Sequence, residues 1–452
     1  MLIILLLLCY ISISFSQINV YFTDPYNKDR PSLSEISTRL KPIDFALKEF
    51  IESATPGTTV YICVYQVNNT TITTAIDYIV NRGVSVYAIF HKDVSTAVFK
   101  SSFSYKKIGS NERLMHNKFV VVKSSKVWTG SYNFTISATY EQDNFAIEIF
   151  SKDLAEIYEK AFLYMWDGSG VIGEFNNKQV ILNERTKITV GFNPYSQNPE
   201  LKDVLIENWY DKIEGKVKVR SLYFAVAWFT EQALKEILLK LVDNNVAVSG
   251  IVDDNASGNS VFTELRTKGV DIWYDSRHTL TSGDGLMHHK FCVVDPYGAS
   301  PKVICGSANW SEQGLSSSTV GWNYENILVI ESREVAEVFY KEFLRLYKKA
   351  VAEKVISTSD ELVEAIIFYP NPVSKKLNIK FTPNRGVKEV KFLLISLYGI
   401  RMYEENLNFI AGVENKVEIS IPNEIKEGLY YGILRVKSFE FSKDYVKKII
   451  VR

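Results

Sequence analysis

Histidine, methionine and cysteine are all scarce in this chain, at five, five and four residues among 452. Cys9 lies in an N-terminal apolar run, and Cys63, Cys292 and Cys305 fall inside apolar, strand-like segments. Without Cys9 three remain, and an odd count without regular spacing excludes a disulfide framework, while their settings suit buried thiols acting as small hydrophobes. No Cys/His cluster has metal-ligand spacing, so the expectation is a protein with no metal and no cofactor. Net charge is also lacking. Residues 361–452 carry 15 basic against 11 acidic side chains, which leaves the first 360 residues slightly acidic. That balance disfavours a large nucleic-acid surface, which needs a basic footprint, while leaving room for a local basic groove. Long apolar runs are missing beyond the start of the chain. The run there, Met1 to Cys9, is shorter than the ~20 residues of a membrane-spanning helix. Ser14-Phe15-Ser16 stands at the offsets of a cleavage point before Gln17, so residues 1–16 read as a secretory signal peptide, though one with no Lys or Arg near its start.

The chain is rich in material for a packed core, with 46% hydrophobic and 13% aromatic residues, and its length suits two or three domains. Strand-like and helix-like segments alternate twice in the same order. The first series runs through a strand at 18–22, a helix at about 34–53, a strand at 59–67, a helix at 71–82 and a strand at 84–90. The second has a strand at 187–192, a helix at 200–213, a strand at 217–228, a helix at 230–244 and a strand at 247–253. Each series closes with an apolar strand (144–150, 326–331) and an amphipathic helix (154–166, 335–349). Such alternation predicts βαβ units and a mostly parallel sheet. Residues 167–184, with three glycines and paired asparagines, read as a connector, and 357–360 as a second boundary. Short strands with turns follow, which predicts a small all-β sandwich over 365–452.

Two phrases recur inside this duplication. Met115-His116-Asn117-Lys118 opens one apolar run and Met287-His288-His289-Lys290 opens another, 172 residues on. Each is followed by a second matched phrase, Gly130-Ser131-Tyr132-Asn133 and Gly306-Ser307-Ala308-Asn309. In a strand, His-x-Lys sends imidazole and ammonium to one face, because the side-chain period is two. Two such faces meeting across a pseudo-twofold axis would gather His116, Lys118, Ser131, Asn133, His288, Lys290, Ser307 and Asn309. That set suits a phosphodiester. Lysines and asparagines can hold the non-bridging oxygens, one histidine can attack phosphorus and the other can protonate the leaving oxygen. His289 reads as a variable position turned away from the site, and His91 and His278 as isolated histidines. Phe134 and Trp310 suit either a pocket lining or packing.

The paired phrases resemble the phospholipase D superfamily over roughly residues 17–350, whose signature continues from His-x-Lys, across four intervening residues, to an Asp. Asp295 completes it in the second copy, and Lys123 stands in its place in the first. The resemblance implies two tandem phospholipase D-like α/β domains, 17–170 and 185–350, related by pseudo-twofold symmetry. It further implies His116 as nucleophile, His288 as general acid, and an orienting acid downstream of each copy. Glu325, before Asn326, fits that part in the second copy, and Asp143, before Asn144, is the nearest equivalent in the first. Both halves lie in one chain, so a monomer is expected. The implied activity is phospholipid head-group hydrolysis through a phosphohistidine. A nuclease acting on DNA or RNA is the first alternative, since Gly130 to Thr135 also resembles the nuclease branch. A catalytically weakened surface-binding protein, suggested by Lys123, is the second.

Tyr369-Pro370-Asn371-Pro372-Val373, Leu397-Tyr398-Gly399-Ile400, Gly428-Leu429-Tyr430-Tyr431 and the end Lys447-Lys448-Ile449-Ile450-Val451-Arg452 resemble the C-terminal sorting domain of the type IX secretion system. That resemblance implies the secretion machinery as a partner and a secreted or cell-surface destination.

Overall fold

The computed structural model describes residues 17–25, 33–169, 171–194, 200–254, 260–275, 285–316, 321–356, 362–383, 387–397, 399–411, 413–438 and 442–452. The expected signal peptide, the boundary at 357–360 and His278 lie outside them. The chain divides into two compact units, Met1–Glu342 and Phe343–Arg452.

In the first unit the repeat opens with β1 (Ile18–Phe22), α1 (Ile43–Glu52), β2 (Thr59–Val64), α2 (Thr70–Asn81), β3 (Ser85–His91) and β4 (Ser104–Ile108). It continues with β5 (Lys118–Val122), β6 (Lys126–Gly130), α3 (Ile136–Tyr140), β7 (Phe145–Phe150) and α4 (Lys152–Asp167). Asn69 caps α2, its Oδ1 accepting from Thr71 N at 2.9 Å. Ile72, Ala75, Ile76 and Ile79 bury one stripe of that helix at helical spacing. All five residues of β5 are buried, as a strand covered on both faces must be. The sheet order is β1-β7-β6-β5-β2-β3-β4.

Only β2 to β3 and β3 to β4 are parallel pairings in this sheet, so the expectation of a mostly parallel sheet is corrected to a mixed one. The reason is local. After β4 the chain makes hairpins, and the three residues between β5 and β6 leave room only for an antiparallel return.

The second half begins earlier than expected. Residues 167–184 contain α5 (Ile172–Phe175) and β8 (Lys178–Asn183) rather than an irregular connector, and β8 pairs with β9 (Thr186–Asn193). Next come α6 (Leu201–Trp209), the two-residue strands β10 (Tyr210–Asp211) and β11 (Lys216–Val217), β12 (Ser221–Val226), α7 (Gln232–Asp243) and β13 (Ala247–Asp253). Then follow α8 (Ser260–Thr267), β14 (Asp271–Asp275), β15 (Lys290–Val294), β16 (Lys302–Gly306), α9 (Glu312–Leu315), β17 (Glu325–Glu331) and α10 (Arg333–Ile356). The order β14-β13-β12-β15-β16-β17-β9-β8 repeats the first sheet and adds β8 at its edge.

Each half has its own apolar core, and Phe134 and Trp310 belong to these cores as packing residues. Between the halves lies an aromatic layer. Phe145 meets Phe291 and Phe339 edge-on, and Tyr158 of α4 packs edge-on against Phe192 of β9.

The second unit is all-β, as expected. A three-stranded sheet joins β18 (Val363–Tyr369), β19 (Lys376–Pro383) and β22 (Asn415–Ser420). A four-stranded sheet joins β20 (Val387–Ser396), β21 (Arg401–Asn406), β23 (Gly428–Ser438) and β24 (Ser442–Val451). Leu377, Ile379 and Phe381 from one sheet share a core with Phe392, Leu434 and Ile449 from the other. Val373 N donates to Ile450 O at 2.7 Å and Arg452 N to Val373 O at 2.8 Å, so the Pro-rich phrase and the end of the chain hold each other.

Candidate active site

His116 stands two residues before Lys118, the first residue of β5, and His288 stands in the same relation to Lys290 and β15. Each strand head is tied to the opposite half. His116 N donates to Tyr324 O at 3.1 Å, Tyr324 N donates to Leu114 O at 2.8 Å, His288 N donates to Asp143 O at 2.9 Å, and Asp143 N donates to Leu286 O at 2.9 Å. The two His-x-Lys segments therefore come together through backbone pairing between the halves.

The ring contacts cross in the same way. His116 Nδ1 lies 2.7 Å from Oε1 of Glu325, from the second half. His288 Nδ1 lies 2.9 Å from Oδ1 of Asn144, from the first. Glu325 is held by the Ser307 hydroxyl, which donates to Oε2, and by Asn323 Nδ2 at 3.3 Å. Asn144 Oδ1 accepts from the Ser131 hydroxyl at 2.9 Å, and Asn144 Nδ2 donates to Ala138 O at 3.2 Å. Ser131 Oγ accepts from Phe145 N and Ser307 Oγ from Asn326 N, each at 3.0 Å. These matched bonds make Asn144 the counterpart of Glu325.

The expectation that Asp143 plays this part is corrected by one residue: Asp143 holds the main chain of His288, and Asn144 holds its ring. An acid is the expected partner of a catalytic imidazole, and the amide beside it carries no such signal in the sequence. The glycine that opens each Gly-Ser phrase is also explained. A Cβ on Gly130 would sit 2.4 Å from Phe145 O, and one on Gly306 would sit 2.1 Å from Asn326 O.

Tautomers follow from the partners. A carboxylate only accepts, and Asn144 presents an oxygen already receiving a hydroxyl, so both histidines present Nδ1–H to these partners and leave Nε2 free, with a lone pair in the neutral ring and a proton in the imidazolium. Lys118 Nζ donates to His116 O, and Lys290 Nζ donates to His288 O at 2.8 Å. The Tyr65 ring lies 5.0 Å from that of His116 and 5.2 Å from the Lys118 ammonium, a neighbour with no sequence signal.

The charges of these groups act on one another. Burial pushes His116 down to about 4, with Lys118 and Lys290 reinforcing it and Glu325 opposing. Burial also brings Lys118 down to about 7, against Glu325. His288 and Lys290 fall well below their ordinary ranges, from burial first and then from the neighbouring cations. Burial would raise the Glu325 carboxyl, but His116, Lys118 and Ser307 outweigh it and hold it below the usual range. Crowded, desolvated cations of this kind are relieved by an anion.

The remaining expected residues divide. Asn133 and Asn309 each bury an Oδ1 with no hydrogen-bond partner among the described residues, a matched pair in the two halves. Asp295 is corrected: it lies past the far end of β15, ~16 Å along the strand from Lys290. Its carboxylate accepts from Arg220 N and Ser221 N at 2.9 and 2.7 Å, which makes it a turn-holding residue outside the site. Lys123, at the matching place in the first half, pairs with Glu159 at 2.7 Å. His289 is fully buried, its Nε2 2.9 Å from Glu342 Oε1. His91 is buried beside the site, where its Nδ1 accepts from Met115 N at 3.3 Å. Asp143, His289 and Glu342 have ligand-type atoms within 4.8 Å of one another, a grouping that could hold a metal.

Two α/β halves that exchange the partners of their histidines define a protein with one paired-histidine site. Residues 47–166 and 215–347 match the family model described as cardiolipin synthase, PLD-like domain, which covers more than half of the chain. The chain belongs to this phospholipase D-like family. It is 35% identical over 132 residues to a mitochondrial cardiolipin hydrolase of Xenopus laevis, covering 29% of this chain and 56% of that protein. It is 27% identical over 154 residues to a phospholipase D of Rickettsia prowazekii, covering 32% of this chain and 73% of that protein. The chain thus spans about half the length of the cardiolipin hydrolases it matches. Phosphatidylserine synthase of Haemophilus influenzae shares the fold, with a TM-score of 0.51 at 12% identity over 68% of this chain and 84% of that one. Residues 367–452 match the model of a secretion system C-terminal sorting domain, which marks a chain for export to the cell surface or beyond.

Proposed function

We propose that the chain is an exported phosphodiesterase that hydrolyses the head-group diester of a phospholipid through a phosphohistidine. One observation carries the reading: His116 with Glu325 and the half-buried His288 with Asn144 stand beside the buried Lys118 and Lys290. The relatives' names, cardiolipin hydrolase and phospholipase D, support a lipid substrate.

In the first step His116 Nε2 attacks phosphorus. The N–P bond forms as the P–O bond to the head-group alcohol breaks, and His288, entering the step as the imidazolium, gives its Nε2 proton to the leaving oxygen and becomes neutral. In the second, His288 takes a proton from water, whose oxygen attacks phosphorus. The N–P bond breaks, its electron pair returns to His116, and phosphatidic acid departs. Lys118 and Lys290 face the non-bridging oxygens, and the Asn133 and Asn309 amides flank them. The cations are most valuable where charge builds up in the transition state. The signal peptide supplies the first stage of export and the sorting domain the second.

The purified full chain tests the substrate. Release of choline, ethanolamine or glycerol from phospholipid vesicles, with plasmid and single-stranded DNA left intact, supports the lipid reading. Cleavage of DNA with untouched vesicles overturns it in favour of a nuclease, and inertness towards both favours the binding protein.

A further inference from the structure

We propose that Asn144 is the positioning residue of His288, and that its neutrality, set against the carboxylate of Glu325 on His116, divides the work of the two histidines. This rests on the two-histidine reading above. Asn144 and Glu325 hold matching places: each accepts from the serine of its Gly-Ser phrase and each meets the histidine of the opposite half through Nδ1. The halves agree in geometry and differ in charge.

That difference suits two tasks. A histidine phosphorylated on Nε2 is a cation for the life of the intermediate, and a carboxylate on its Nδ1–H stabilises that cation. Glu325 makes His116 fit to be the nucleophile. A proton shuttle must gain and lose a proton within each turnover. The Asn144 oxygen accepts the Nδ1 proton whether or not Nε2 is protonated, so it fixes ring orientation without trapping the second proton. The groups facing His288 are Lys290 and Lys118, whose positive charge favours release of that proton, together with the imidazoles of His116 and His289. Asp253, near Lys290, spends Oδ2 on Met287 N at 2.7 Å.

Asn144→Asp changes the charge while keeping the shape and the acceptor. In 15N-imidazole NMR titrations of the full chain, the His288 midpoint is expected to rise by about one pH unit or more, with His116 little moved. Glu325→Gln is the reciprocal control and, of the two histidines, should lower His116 and leave His288 little moved. With bis(p-nitrophenyl) phosphate as the diester, the limb of the pH–rate profile set by the shuttle should follow the Asn144→Asp shift. A His288 midpoint that does not move overturns the positioning role. A limb that follows Glu325→Gln instead overturns the division of labour. If the wild-type chain fails to cleave the diester, the phosphodiesterase reading fails by itself, and the titration still decides whether Asn144 governs His288.

Discussion

Asn326, from β17 of the second half, donates from Nδ2 to Oδ1 of Asn117 in the first half at 2.7 Å. Its own Oδ1 accepts the hydroxyls of Thr129 and Tyr158, each at 3.0 Å. Asn117 is the middle residue of the first His-x-Lys, so this buried amide pair ties the site to the seam between the halves.

Asn326→Ala should therefore loosen the seam. It leaves three buried polar groups without this partner, and each such group costs about 1–3 kcal/mol. Urea denaturation should show a loss of at least ~2 kcal/mol, with activity falling more than the loss of folded protein explains. Unchanged stability would mean that water replaces the amide at no cost.

The buried bases set the pH dependence of stability. His116 has an ordinary value of 6.5 and a folded value of about 4, so between those limits the unfolded chain binds more protons. Stability must then rise with pH through that window and be lost as pH falls through it. Lys118, brought from 10.5 to about 7, adds the same sign between pH 7 and 10.5. Urea midpoints at pH 5, 7 and 9 should increase in order, with His116→Asn flattening the lower interval and Lys118→Met the upper. Midpoints that fall from pH 5 to 7 would contradict the burial of these groups.

Asp295 and Lys123 should prove to be structural. Asp295→Ala removes the carboxylate that holds Arg220 N and Ser221 N, and should cost about 1–3 kcal/mol of stability while kcat falls far less than in a histidine variant. Lys123→Asp, which restores the family signature, should change kcat less than about threefold, below 0.7 kcal/mol of barrier. A large gain in activity would show that Lys123 weakens the enzyme.

Chelation separates the site from the Asp143, His289 and Glu342 grouping. Incubation with EDTA followed by dialysis should leave kcat unchanged, because the scheme places all charge compensation on lysines, asparagines and imidazoles. Lost activity restored by zinc or magnesium would overturn it.

Much of the fold could be read from the sequence because the apolar stripes are long and regular. The reading of α2 as 71–82 differs by one residue at each end from Thr70–Asn81, and β13 was read at its actual limits, Ala247–Asp253. The strand pairing was less legible. Helical crossovers implied parallel neighbours, while the three-residue return from β5 to β6, which forces an antiparallel pair, falls outside the alternation of strands and helices.

The site was legible where it was repeated. His116, Lys118, His288 and Lys290 stand out because two copies of a short phrase cannot be attributed to packing alone. The crossing of partners was hidden, since no local pattern shows that Glu325 serves the histidine 209 residues before it. Asn144 was hidden by chemistry: an asparagine before an apolar strand looks like any capping or turn residue, and only the hydrogen bond to His288 reveals its part.

The central claim is that both halves build one site around a covalent intermediate on the first. Rapid quenching during turnover of a 32P-labelled phosphodiester that leaves its label on the enzyme, followed by peptide mapping, tests it most directly. An acid-labile, base-stable phosphate on His116 is the predicted result, accumulating in His288→Asn and absent from His116→Asn. Label on any other residue, or turnover surviving either substitution, would contradict it.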